Sequence, residues 1–317
     1  MISILFLIAG FIFLIIGANK LVEGASSLAS KLGIPDIVIG LTVVAFGTSA
    51  PELVVNVMAS VNGNSDLVLG NVLGSNIFNV LGILGITSMI YPLTVKTDTT
   101  WLEIPMSLLA AVALFFLVSD VSFDGANSDF LSRTDGIVLL LFFSIFLVYN
   151  IKVSQNESSY ETENNKIEFT YLKSFLYLII GLTGLVAGGN LIVRGAVDIA
   201  TMIGLSERVI GLTIVSIGTS LPELATSIAA VKKKNVDIAI GNVVGSNIFN
   251  IFLVLGISVV VSPFRINQDS MFDIYVNILA GILLFAFIFI GRGRQLVKWE
   301  GFLFLSIYLV YLIILVS

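Results

Sequence analysis

Long apolar stretches recur along the chain, separated by short polar breaks. Each falls near or above the ~20 residues that a rise of ~1.5 Å per residue needs to cross ~30 Å of hydrocarbon. In order they predict helices near residues 2–32, 37–59, 67–91, 101–119 and 135–152, then near 171–203, 208–230, 238–262, 271–291 and 297–316. The expected fold class is therefore all-α and polytopic, with ten transmembrane helices. The first and sixth runs are longer than a perpendicular crossing requires and are expected to tilt or project past the membrane surface. The opening run lacks a basic leader and a small-residue cleavage site, so it is expected to stay as a helix rather than be removed as a signal peptide. Residues 153–170 carry Glu157, Glu161, Glu163, Lys166 and Glu168 among Ser and Asn, the pattern of a short solvated loop. The expected organisation is a first five-helix unit over 1–152, a cytoplasmic linker over 153–170 and a second five-helix unit over 171–317.

Composition removes whole classes of function. Of 317 residues, 57% are hydrophobic and 12% charged, more apolar surface than one soluble core of this size can bury. The chain reads as an integral membrane protein whose partner is the lipid bilayer, with no role for nucleic acid, and it is expected to work as a monomer. It has no Cys and no His, which removes thiolate chemistry, the usual proton shuttle and the usual zinc or copper ligands. Whatever binds here uses oxygen atoms. An intramembrane hydrolase built on Ser49 or Ser220 would lack a base, because no His exists and Lys20 has no evident place beside either serine. No enzymatic activity is expected.

The two halves repeat each other. Residues 40–52 (GLTVVAFGTSAPE) return as 211–223 (GLTIVSIGTSLPE), and 70–80 (GNVLGSNIFNV) return as 241–251 (GNVVGSNIFNI) with nine of eleven positions identical. The correspondence runs without a gap at an offset of 171, from 17–93 to 188–264. Five crossings per half is an odd number, so the second half enters the membrane from the opposite side and the repeats are inverted, an arrangement common in secondary transporters. Loop charge agrees. Alternate loops place Lys31, Lys96, Lys152, Lys166, Lys173, Lys232, Lys233, Lys234, Arg292, Arg294 and Lys298 on one face and only Arg133, Arg194, Arg208 and Arg265 on the other. The positive-inside rule makes the first face cytoplasmic and leaves both termini outside.

Each repeat carries a carboxylate in an apolar segment, at a cost of at least ~2.5 kcal/mol apiece at bilayer depth. In Gly-Thr-Ser-x-Pro-Glu, Pro51 and Pro222 cannot donate to the carbonyls of Gly47 and Gly218, so helices 2 and 7 are expected to break there. A break exposes carbonyls beside Thr and Ser hydroxyls, with Glu52 or Glu223 next along the chain. That is the donor set of a hard cation such as calcium. Gly70 with Gly74, and Gly241 with Gly245, form small faces suited to close helix packing. Ser75 with Asn79, and Ser246 with Asn250, are four apart and share a helix face, where four neutral oxygens can complete a cage around the carboxylates. The bland alternative for the two Glu is salt bridging inside the bundle, although Lys20, Glu23, Arg194 and Asp198, near the ends of long helices, can equally partner each other. The acidic stretch Asp120, Asp124, Asp129 and Asp135 lacks the Glu of a calcium loop at position twelve, which is Leu131, and reads as a solvated external loop.

With GTSxPE and GNxxGSNIxN both present twice in inverted five-helix units, the chain resembles the calcium/cation antiporter superfamily, most closely its short prokaryotic sodium/calcium exchangers. The resemblance covers nearly the whole chain. It implies a central diamond of four sites on the second, third, seventh and eighth helices, in a prokaryotic plasma membrane. Glu52 and Glu223 would bridge the calcium and sodium sites, and Thr48, Ser49, Thr219, Ser220, Ser75 and Ser246 would add oxygens. The carbonyls of Ala45 and Ser216 would serve flanking sodium sites, and the long first and sixth helices would slide to switch access. Several relatives carry Asp where this chain has Asn250, so the site is symmetric and holds two carboxylates. Two negative charges balance one Ca2+ or two Na+ and leave a third Na+ uncompensated. Exchange of calcium for sodium by alternating access is the leading expectation, with calcium and sodium as bound cargo and no cofactor. Proton- or potassium-coupled exchange is the alternative and a cation channel the remote one.

Overall fold

The computed structural model describes residues 2–95, 99–156, 169–202, 216–290 and 293–316. The linker residues 157–168, Lys96, Arg208, Arg292 and the start of the expected 208–230 helix lie outside the described residues. Besides a single turn at Asp120–Asp124, the described helices are α1 (Ile2–Leu32), α2 (Asp36–Thr48), α3 (Ala50–Val61), α4 (Ser65–Ile90), α5 (Trp101–Leu117) and α6 (Arg133–Asn156). They continue with α7 (Tyr171–Met202), α8 (Ser216–Thr219), α9 (Leu221–Lys232), α10 (Val236–Val261), α11 (Gln268–Phe287) and α12 (Lys298–Val316). Among the described residues seven helices are long and apolar enough to cross a membrane. The pair α2 and α3, bent by 46°, makes an eighth span, and α5 is a shorter apolar helix.

Burial is inverted relative to a water-soluble protein. The outer helices turn Ile4, Ile8, Phe11, Ile15, Leu141, Ile145, Phe302 and Ile313 outward, while Asn71, Asn76, Asn79, Asn242, Asn247 and Asn250 are buried. Lipid solvates the first set and can do nothing for the second. The chain is an integral membrane protein. Its centre is α4 and α10: 83% of each apolar window is buried, against 28% for α1 and 22% for α6.

The longest helices, α1 and α7, pack antiparallel at very close range. Ser3, Gly10, Gly17 and Gly24 face Gly195, Gly188, Gly181 and Ser174 in turn. A Cβ on Gly10 would stand 2.8 Å from the Gly188 carbonyl oxygen, and one on Gly17 2.8 Å from that of Gly181. Only glycine admits such an approach, in which backbone rather than side chains makes the contact. The seven-residue spacing keeps the stripe facing its partner.

The same close approach seats α10 on α2, where a Cβ on Gly241 would lie 2.8 Å from the Ile37 carbonyl oxygen and one on Gly245 2.8 Å from that of Leu41. The expected small-residue face of the second repeat is thus a packing face. Two short ladders tie the halves together: β1 (Leu93–Thr94) pairs with β4 (Gln295–Leu296), and β2 (Phe130–Leu131) with β3 (Phe264–Arg265). The acidic stretch is occupied with its own backbone, since Asp129 accepts from the Val121 N–H and Asp120 from the Phe130 N–H, both at 2.8 Å.

Charged side chains near the ends of α1 and α7 serve local contacts. Glu23 pairs with Lys20 at 3.1 Å and with Lys233 at 3.0 Å, while Asp198 accepts from the Ser3 hydroxyl at 3.3 Å. Residues 233–235 thus lie against the last third of α1 and the start of α2, with Asn235 donating to Ser26 and Asp36. The equivalent residues 62–64 lead into α4, whose Asp66 accepts from Asn267.

Gly17→Val places a branched side chain against backbone that cannot yield. Overpacking of this kind costs ~1–3 kcal/mol, which should lower the thermal unfolding midpoint of the detergent-solubilised protein by several degrees. The outward-facing Ile16→Val serves as control and should leave it unchanged. Equal midpoints for the two variants would show that the α1–α7 contact is not close in solution.

Candidate cation-binding site

The two helix breaks are near-identical in shape. Ser49 (φ −84°, ψ 4°) separates α2 from α3, and Ser220 (φ −88°, ψ 6°) separates α8 from α9. Pro51 and Pro222 follow directly, where a missing N–H costs least because a new helix is starting. Glu52 and Glu223 therefore occupy first turns, where N-terminal peptide dipoles favour negative charge. Wider π-helical turns over Gly40–Val44, Phe78–Leu84 and Phe249–Leu255 distort the neighbouring segments. Such turns shift side-chain direction and gather at functional sites.

The carboxylates are completely buried. Each is held from the other half of the chain: the Ser49 hydroxyl donates to Glu223 Oε1 at 3.1 Å and the Ser220 hydroxyl to Glu52 Oε1 at 3.4 Å. Ser246 adds a second donor to Glu223 Oε1 at 3.4 Å. No Lys or Arg among the described residues pairs with either Glu, so the salt-bridge alternative finds no support there. No cluster of three or more acidic, His or Cys side chains exists among the described residues, and the local acidic charge is this pair.

The threonines follow the same cross-pattern. Thr48 donates to Asn242 Oδ1 at 3.0 Å, and Thr219 to Asn71 Oδ1 at 3.1 Å. Asn242 in turn donates to the Glu223 carbonyl and to Ser227, while Asn71 donates to Asn56. Asn79 donates to Asn247 Oδ1 at 3.0 Å and Asn250 to Asn76 Oδ1 at 3.1 Å. The Ala45 carbonyl accepts from the Ser49 N–H at 2.9 Å and from the Thr48 hydroxyl at 3.3 Å. Ser216 begins α8, and its side chain lies outside the described residues.

The buried oxygens without a hydrogen-bond partner on these segments include five candidate ligands, Glu52 Oε2, Glu223 Oε2, Ser75 Oγ, Asn79 Oδ1 and Asn250 Oδ1, with Ser60 Oγ and Thr226 Oγ1 on the same helices as the two Glu. An unsatisfied buried polar group costs ~1–3 kcal/mol. Oxygens from carboxylate, hydroxyl and amide, stripped of other partners, suit a hard cation that prefers six to eight such ligands.

Sequence reasoning named twelve candidates, of which eleven are buried here and Ser216 is the one whose side chain lies outside the described residues. It missed the residues behind them: Asn71 and Asn242, which receive the threonine hydroxyls, and Asn76 and Asn247, which receive the amides of Asn250 and Asn79. The signal was present, because both pairs recur at the offset of 171 inside the duplicated motif.

Comparison with known proteins gives the family. The sequence matches the family described as sodium/calcium exchanger protein over residues 2–152 and 173–317. It is similar to a putative antiporter, CaxA, of Alkalimonas amylolytica, with 36% identity over all of this chain and 99% of that one. It is also similar to the sodium/calcium exchanger MaX1 of Methanosarcina acetivorans, 32% identical over 99% and 98% of the two chains. The solved structure of the sodium-calcium exchanger NCX_Mj, soaked with Na+ and Sr2+, superposes with a TM-score of 0.83 at 32% identity, covering 98% of this chain and 97% of that one. The chain belongs to the sodium/calcium exchanger family.

Proposed function

We propose that this protein exchanges calcium for sodium across a prokaryotic plasma membrane by alternating access. The observation that carries the reading is the buried pair Glu52 and Glu223, each gripped through one oxygen by a serine of the opposite half and each holding its other oxygen without a partner. Calcium and sodium share these carboxylates, so neither ion binds fully while the other is present. An emptied cage leaves two like charges facing each other in low dielectric, which disfavours helix movement. Only loaded states cross. Thr48, Ser49, Thr219, Ser220, Ser75, Ser246, Asn79 and Asn250 complete the ligand set, and the carbonyls of Ala45 and Ser216 serve flanking sodium ions.

The architecture we infer is ten crossings in two inverted repeats, 1–152 and 171–317, joined by a cytoplasmic linker, with broken second and seventh helices and both termini outside. The antiparallel register of α1 and α7 supports inversion, since Gly10 meets Gly188 as its repeat-equivalent Gly181 meets Gly17. The halves also cross-pair their strands. Close backbone contact between α1 and α7 suits a pair that slides together past the rest of the bundle.

The decisive experiment is calcium uptake into proteoliposomes under outward sodium, potassium or proton gradients imposed in turn. Sodium alone should drive uptake. Uptake driven only by potassium or protons would replace sodium as the coupling ion, and flux without any counter-ion would mean a channel. Glu52→Gln and Glu223→Gln should each reduce sodium-driven uptake at least ~100-fold while leaving the folded yield intact, since each removes an oxyanion ligand worth several kcal/mol in a desolvated site. Wild-type flux in either variant would contradict the shared site. The natural absence of Cys makes topology directly readable. Ser122→Cys should react with a membrane-impermeant maleimide from outside and Lys234→Cys only after permeabilisation. The reverse pattern would invert the orientation.

A further inference from the structure

Asn79 and Asn250 are useful to a cation only through their oxygens. An amide is nearly the same shape after a half-turn about its last bond, yet the flipped form aims two N–H donors at the ion instead of a lone pair. Inside a dry site the choice is made by the neighbouring hydrogen bonds alone. Those neighbours are Asn76 and Asn247. Asn247 Oδ1 accepts from Asn79 Nδ2 at 3.0 Å and Asn76 Oδ1 accepts from Asn250 Nδ2 at 3.1 Å, so both ligand amides have their nitrogens turned away and their oxygens left without partners.

The acceptors are themselves held in one orientation. Asn76 Nδ2 donates to the Asn247 carbonyl at 3.2 Å, and Asn247 Nδ2 donates to the Asn76 carbonyl at 3.4 Å. Four buried side chains thus form a chain across the two halves, with Asn79 and Asn250 at its ends and the reciprocal Asn76–Asn247 pair at its centre, each bond matched by its repeat-equivalent. The chain spans a change in helix form. Asn76 and Asn247 end regular α-helix, whereas Asn79 and Asn250 lie in the π-helical turns Phe78–Leu84 and Phe249–Leu255 that redirect their side chains. Resting on the exchange reading above, we propose that Asn76 and Asn247 are positioning residues that fix the amide orientation of Asn250 and Asn79, so that carbonyl oxygens rather than amide hydrogens face the transported ion.

The test is a double-mutant cycle on the calcium KM of sodium-driven uptake, with kcat and folded yield measured alongside. Asn247→Leu should raise KM about tenfold, the effect of one misoriented oxygen ligand at ~1.4 kcal/mol, with kcat changed by less than about threefold. In an Asn79→Ala background, where there is no amide left to orient, the same change should raise KM by less than about twofold further. The mirror cycle, Asn76→Leu with Asn250→Ala, should behave alike and stands independently if one leucine variant fails to fold. Asn247→Ala and Asn76→Ala remove the acceptor with less bulk and run the same cycles. Additive increases in KM, or an unchanged KM in the single variants, would overturn the positioning role while leaving calcium exchange intact. An inert wild-type protein would instead overturn the exchange reading.

Discussion

Two buried carboxylates are the constraint around which this molecule is arranged. Neither has a basic partner among the described residues, and each is held by a serine from the other half of the chain. A hydrophobic protein gains no stability from such a pair, because desolvation and mutual repulsion both oppose it. The surrounding features follow from accommodating it. The helices break so that N-terminal peptide dipoles meet the negative charge, the glycine faces allow backbones to approach without intervening side chains, and the amides are committed to one another so that only oxygens remain to be satisfied.

Cross-repeat bonding also ties the two halves together at the candidate site. Many polar contacts of the site join one half to the other: Ser49 to Glu223, Ser220 to Glu52, Thr48 to Asn242, Thr219 to Asn71 and Asn79 to Asn247. An ion that binds here therefore acts on the junction between halves rather than on either one. A ligand shifts a conformational equilibrium only through interactions that differ between states. Placing the site at this junction gives the ion that leverage.

Much of this was legible in the sequence because duplication exposes what is functional. A carboxylate, a proline and two hydroxyls that recur after 171 residues inside apolar segments have few structural explanations, so Glu52, Glu223 and the break at Ser49 could be read directly. The supporting asparagines could not be read by chemistry alone. Asn71 and Asn76 look no different from Asn79 along the chain, and only the three-dimensional pairing shows which present oxygens and which orient them. The α1–α7 stripe was hidden for another reason. Its period of seven matters only once the antiparallel partner is known, whereas Gly241 and Gly245 announce themselves within a single turn.

Equilibrium calcium binding to the purified protein at increasing sodium tests the shared site most directly. The account predicts that sodium raises the apparent calcium Kd without lowering the number of sites, and that Glu52→Gln and Glu223→Gln each abolish this binding. Calcium binding indifferent to saturating sodium, or retained in both variants, would contradict it.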